Sequence, residues 1–105
     1  MLIKNVRNGD TINIRRCRNP FGLMFKLKFK SAIYFAFKKR YESVHMFFVF
    51  FPIDVLFIRD NKIVAKKRML PFTISKSYLC DIIIEAEKGR FREWGVGDGI
   101  KYART

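Results

Sequence analysis

The chain is poor in the residues that bind metals and cross-link small domains: 105 residues include two cysteines, Cys17 and Cys80, and one histidine, His45. Two cysteines without a CxxC spacing, beside one imidazole, cannot complete a four-ligand zinc site, and no cofactor is implied. Acidic residues are also scarce, nine against 22 Lys and Arg, for a net charge of +13. The shortage is uneven. Residues 1–76 hold 4 Asp and Glu against 17 Lys and Arg, whereas residues 77–105 hold 5 against 5. Long hydrophobic runs are missing as well: the run of residues 44–58, VHMFFVFFPIDVLFI, is broken by Pro52 and Asp54 and falls short of the roughly 20 residues of a membrane span. The start, MLIKNVRNGD, has no apolar stretch followed by a small-residue cleavage site, so a cytoplasmic protein with reduced thiols is expected. There is no repeat, linker or low-complexity tract.

What is present is a dense apolar content. Half the residues are hydrophobic and twelve are Phe, which excludes disorder and predicts an aromatic-rich core. The length suits a single domain, residues 1–105, with one core. Turn signals recur at short intervals, as they do between strands. Asn8-Gly9 accepts the two left-handed positions of a type I′ turn, predicting a hairpin of residues 2–6 and 11–16. Asn19-Pro20 marks the start of a short helix. Residues 25–38 alternate with period two, with Phe25, Leu27, Phe29, Ile33, Phe35 and Phe37 on one parity, and a secure strand is expected over 32–38. Residues 45–50 and 53–58 are apolar on both parities, the pattern of central strands, with a bend at Pro52. Asp60-Asn61 predicts a second tight turn into a strand over 63–69. A strand around 82–86, a short helix over 89–94 and a last strand at 100–103 complete the reading. The expected fold is mainly β, α+β at the margin: a β-sandwich or barrel of about seven to eight strands with two short helices.

These pieces, Gly22-Leu23-Met24, His45 before Phe51-Pro52-Ile53-Asp54-Val55 and Phe57, Glu85 with Gly89, and Val96-Gly97-Asp98, stand in an order that resembles domain-of-unknown-function family 192. The most specific stretch is FPIDVLF. The resemblance implies a mainly β sandwich or barrel with minor helices and no established activity. Many members are exported, which the absent cleavage pattern speaks against here. This chain departs from the pattern in a slightly shorter stretch between Gly89 and Asp98.

Three features invite a function. GVGDG, residues 95–99, looks like a phosphate loop, but such a loop opens a helix and only six residues follow Gly99, so it reads as a turn that Asp98 fixes. Lys26, Lys28, Lys30, Lys38, Lys39 and Arg40 form a basic face whose neighbouring Phe side chains take the opposite parity. Weak, unspecific polyanion binding is expected from it, with a basic nucleic-acid-associated protein as the alternative. Finally, Asp54 is read as satisfying backbone donors at the bend after Pro52, and His45, Asp54 and Glu85, with Arg16 or Arg18, as lining a small polar cleft for an unknown small molecule. A Ser or Cys nucleophile cannot be placed beside His45 and Asp54, so a small hydrolase ranks last. The most economical role is a non-catalytic binding or accessory module. Cys80 is expected to face inward with Ile82 and Ile84.

Overall fold

The computed structural model describes residues 1–17, 32–47 and 49–103. Among them seven strands form: β1 (Leu2–Asn5), β2 (Thr11–Arg16), β3 (Ala32–Glu42), β4 (Ile53–Arg59), β5 (Lys62–Met69), β6 (Tyr78–Glu87) and β7 (Ile100–Ala103). They make one sheet in the order β5-β4-β6-β3-β2-β1-β7. Neighbours are antiparallel except β2 and β3, which run parallel. The helix expected after Asn19 lies outside the described residues, as do Arg18, Lys26, Lys28 and Lys30.

Strand twist carries the two edges of the sheet toward each other until they touch at one corner. Lys62 and Gly99 form an antiparallel bridge there. Gly97 N–H donates to Ile63 O at 2.8 Å, Ile63 N–H to Asp98 O at 3.0 Å and Ile100 N–H to Asn61 O at 2.8 Å. The result is a curled half-barrel rather than two stacked sheets.

The turns show how local chemistry sets these strands. Asp60 and Asn61 both have positive φ, 51° and 62°, as a type I′ turn requires. In the first hairpin only Gly9 does, at 76°. The loop there is longer than the expected two-residue turn: Asn5 N–H donates to Asp10 O and Gly9 N–H to Asn5 O, both at 2.8 Å. Asn5 Oδ1 accepts from Arg7 N–H at 2.9 Å, which stabilises the wider turn. Two further expectations are corrected. The described residues of 45–50 form no central strand; among them only His45 bridges, to Ile74. Residues 89–94 are successive turns, with Arg92 N–H donating to Gly89 O at 3.3 Å and Trp94 N–H to Phe91 O at 3.0 Å, because so short a segment cannot repay helix nucleation.

Partners across an antiparallel ladder share a face. Lys67, Val55, Glu85 and Ile33 therefore stand in a row on one face, and Arg68, Asp54 and Ala86 stand in a row on the other. The face inside the curl packs Ile3, Ile14, Leu56, Ile84, Phe91 and Trp94 into one cluster. The outer face packs Ile33, Val55, Phe57, Ile83 and Cys80 against Val44, Met46 and Val49 from the 43–52 loop. Cys80 is buried, but in the outer cluster and not with Ile84, at the place where β3 carries two extra residues between Ala36, the partner of Ile82, and Arg40, the partner of Cys80. Burial pushes the Cys80 thiol up to about 11.

Candidate functional site

Asp54 sits on β4, between β5 and β6, and is 3 % exposed. Arg68 clamps it, Nε to Oδ1 at 2.8 Å and Nη2 to Oδ2 at 3.1 Å, and Gly89 N–H donates to Oδ2 at 2.8 Å. Burial works against ionisation, but Arg68 and the Gly89 amide outweigh it and hold the carboxyl below its ordinary range. Asp54 thus does take a backbone donor, as expected, though from the turn that leaves β6 and not from its own bend.

Three side chains, Asp98, Asp10 and Lys66, fasten the 88–98 segment to the inside of the curl, and of their bonds the sequence disclosed only the one by which Asp98 fixes its own turn. Asp98 accepts from Arg7 Nε at 2.8 Å, Asn5 Nδ2 at 2.9 Å and Gly95 N–H at 2.9 Å. Arg7, then Asn5, hold its carboxyl well below the usual carboxylate range. Asp10 Oδ2 accepts from Trp94 Nε1 at 2.7 Å and Arg90 Nη1 at 3.1 Å. Lys66 Nζ donates to the carbonyls of Phe91 and Trp94 at 2.6 and 2.8 Å. In the GVGDG turn, Asp98 takes the Gly95 amide, so this carboxylate occupies a donor that a phosphate would need.

Glu85 differs from all of these. On β6 it lies opposite Val55 and Ile33, on the outer face, and is 8 % exposed. No described residue donates a hydrogen bond to it, and burial alone raises its pKa, from 4.5 to about 7. Its nearest neighbours on that face, Val55, Ile33, Ile53 and Ile83, are apolar and buried, and the charged members of these rows, Lys67 beyond Val55 and Glu87 opposite Ile53, are exposed.

The remaining expected site residues do not converge on Glu85. Asp54 points to the opposite face. Arg16 is exposed and in register with Tyr34, itself paired with Ile84 on that same opposite face. His45 is exposed between buried Val44 and Met46, with its ring stacked on Phe47 at 5.4 Å. Of the basic face, Lys38, Lys39 and Arg40 are exposed on β3. Lys39 Nζ lies 2.7 Å from Asp60 Oδ1, and the Arg40 guanidinium lies over Phe37 at 4.6 Å. Among the described residues no three His, Cys, Asp or Glu side chains group as a metal site would need, and no helix is long and apolar enough to cross a membrane.

Two solved structures share this architecture. A protein of unknown function from Novosphingobium aromaticivorans is 16% identical with a TM-score of 0.82, covering 96% of this chain and 83% of its own. A Sinorhizobium meliloti protein described as a candidate transcription regulator is 19% identical with a TM-score of 0.79, covering 95% of this chain and 91% of its own. At these identities the likeness is one of fold. No curated protein matches the chain. The family model of DUF192, described as an uncharacterized ACR, matches residues 5–102, and the chain belongs to that domain-of-unknown-function family.

Proposed function

We propose that the chain is a small, single-domain, cytoplasmic binding module without catalysis of its own, and that Glu85 is the group that meets its ligand. The observation behind this reading is a carboxyl that is 8 % exposed with no donor from any described residue. Such a group costs folding free energy, because it gives up hydration and takes no bond from any described residue. A ligand bearing a cationic nitrogen or N–H donors would restore that bond at the edge of the buried cluster that holds Val55, Ile33 and Ile83. The expected cleft is narrowed accordingly: Glu85 stays as its polar centre, while His45, Asp54 and Arg16 are left out.

Methylammonium, guanidinium and acetate serve as probes in an NMR titration of the Ile and Val methyl groups. The cations should shift Val55, Ile33 and Ile83, acetate should not, and the response should vanish in Glu85→Gln. A response that is equal in Glu85→Gln would remove Glu85 from the site.

A second reading rests on the exposed run Lys38, Lys39, Arg40 and Tyr41, which places an exposed aromatic ring beside cations. It supports weak, unspecific polyanion binding. If six or more phosphates are engaged, RNA affinity should fall on the order of a thousandfold between low and moderate salt. A sequence preference surviving moderate salt would favour dedicated nucleic-acid recognition instead.

A further inference from the structure

Eight large hydrophobic side chains are exposed among the described residues, and five of them, Phe47, Phe50, Leu70, Phe72 and Ile74, belong to two adjacent loops. The loops, residues 43–52 and 70–77, run antiparallel across the outer face of the sheet. Met46 N–H donates to Thr73 O at 2.6 Å, Phe72 N–H to Met46 O at 2.9 Å and Ser75 N–H to Val44 O at 2.8 Å. Val44, Met46 and Val49 face the sheet, so Phe47 and Phe50 are left outside. Phe50 meets Phe72 edge-on at 5.9 Å.

Phe72 carries the strongest sign that this surface is covered. It follows Pro71, and its φ is 63°, the left-handed region that glycine enters freely and a bulky aromatic residue does not. Proline followed by a left-handed residue is the type II turn pattern, and Thr73 Oγ1 closes the turn by donating to Leu70 O at 2.6 Å. Yet Phe72 is 56% exposed, so burial within the chain does not offset the strain.

Charge selects the occupant. A second copy would bring another +13 to the contact. Nucleic acid would stack on ring faces, but Leu70 and Ile74 have none, and Phe47 already has His45 stacked on it. A lipid surface accepts aliphatic and aromatic side chains alike, and anionic lipid rewards a border of cations. Exposed Lys38 and Arg40 precede the first loop, exposed Lys67 precedes the second, and exposed Lys76 lies within it. We propose that the paired loops seat Phe47, Phe50, Leu70, Phe72 and Ile74 in the interface of an anionic bilayer, with these cations held at the headgroups.

Co-sedimentation with vesicles of phosphatidylcholine, and of an equal mixture with phosphatidylglycerol, tests this. The protein should pellet with the mixed vesicles and not with phosphatidylcholine alone. Phe72→Gly should melt no lower than the parent and bind the mixed vesicles roughly tenfold more weakly, a separation that misfolding cannot imitate. Phe47→Ser, tested alongside, should weaken binding comparably. The proposal is overturned if mixed vesicles do not pellet the protein, if both variants bind like the parent, or if single-stranded DNA displaces the vesicles and binds through the same phenylalanines.

Discussion

On the inner face of the curled sheet each buried carboxylate has a built partner, whereas on the outer face Glu85 has none among the described residues. Asp54 and Asp98 are as buried as Glu85, so burial does not separate them; their donors do. Arg68 and Gly89 reach Asp54, and Arg7, Asn5 and Gly95 reach Asp98. These bonds bind the 88–98 turns to strands far away in sequence and are a sufficient reason for the acids to be there. Glu85 has no such reason within the described structure, and its position on a central strand is costly. The comparison teaches that in this fold a paired acid builds the barrel, and that the unpaired one is where a role beyond folding should be sought.

The largest expected effect falls on the paired side. Asp98→Ala leaves Asn5 and the Gly95 amide without an acceptor and should cost about 3 kcal/mol in urea unfolding at neutral pH. Because the folded carboxyl titrates below its ordinary range, this contribution is present above about pH 4 and is lost as pH falls further. An Asp98→Ala protein with the parent's midpoint would break the comparison.

Glu85 should behave with the opposite sign. Its folded pKa of about 7 lies above the ordinary 4.5, so between those values the folded state holds more protons and stability falls as pH rises. The whole gap corresponds to roughly 3 kcal/mol at most, and relaxation of the site will reduce it. Glu85→Gln should therefore stabilise the protein by roughly 2 kcal/mol at about pH 8 and change little at about pH 4.5. Thermal melts across this range decide it, and a uniform loss at every pH would show that Glu85 is structurally bonded.

Asp54→Ala should cost somewhat less than Asp98→Ala, about 2 kcal/mol, because half-exposed Arg68 regains water and only the Gly89 amide is stranded. A hydrogen-exchange experiment should localise the damage to residues 87–90; protection unchanged at Gly89 would contradict the assigned bond. The smallest effects belong to the outer loops. Phe72→Gly should gain about 0.5–1 kcal/mol from relief of its left-handed backbone. His45→Ala should fall within about 0.5 kcal/mol of the parent, since its ring is exposed and touches only Phe47 in stacking. Differential scanning calorimetry resolves both, and a destabilised Phe72→Gly would mean the ring supports the loops.

Much of this frame could be read in advance where the cause is local. Asp60-Asn61 announces its turn because few other residues accept two left-handed positions, and residues 53–58 announce a central strand because both parities are apolar. The same apolar pattern over 45–50 was misleading. Within it Met46 and Val49 are core, while Phe47 and Phe50 are exposed, and a sequence does not distinguish a second core from an exposed surface. The Arg68 partner of Asp54 was hidden by one residue of register. Counting back from the Arg59–Lys62 pair places Asp54 opposite Lys67, but the shift between Phe57 and Ile58 moves it to Arg68. The bond from Asp10 to Trp94 spans 84 residues and has no local signal at all. Glu85 was legible as a candidate from its place in an apolar strand, but its want of a donor depends on what long-range folding brings near it.

The central claim is that Glu85, a buried residue, has no donor among the described residues, and an NMR titration of its side-chain carboxyl carbon tests this directly in the unmodified protein. A midpoint near 7 is expected, displaced downward when guanidinium is added. A midpoint near the ordinary 4.5, or below it, would show that a donor already satisfies Glu85 and would remove the distinction between the two faces.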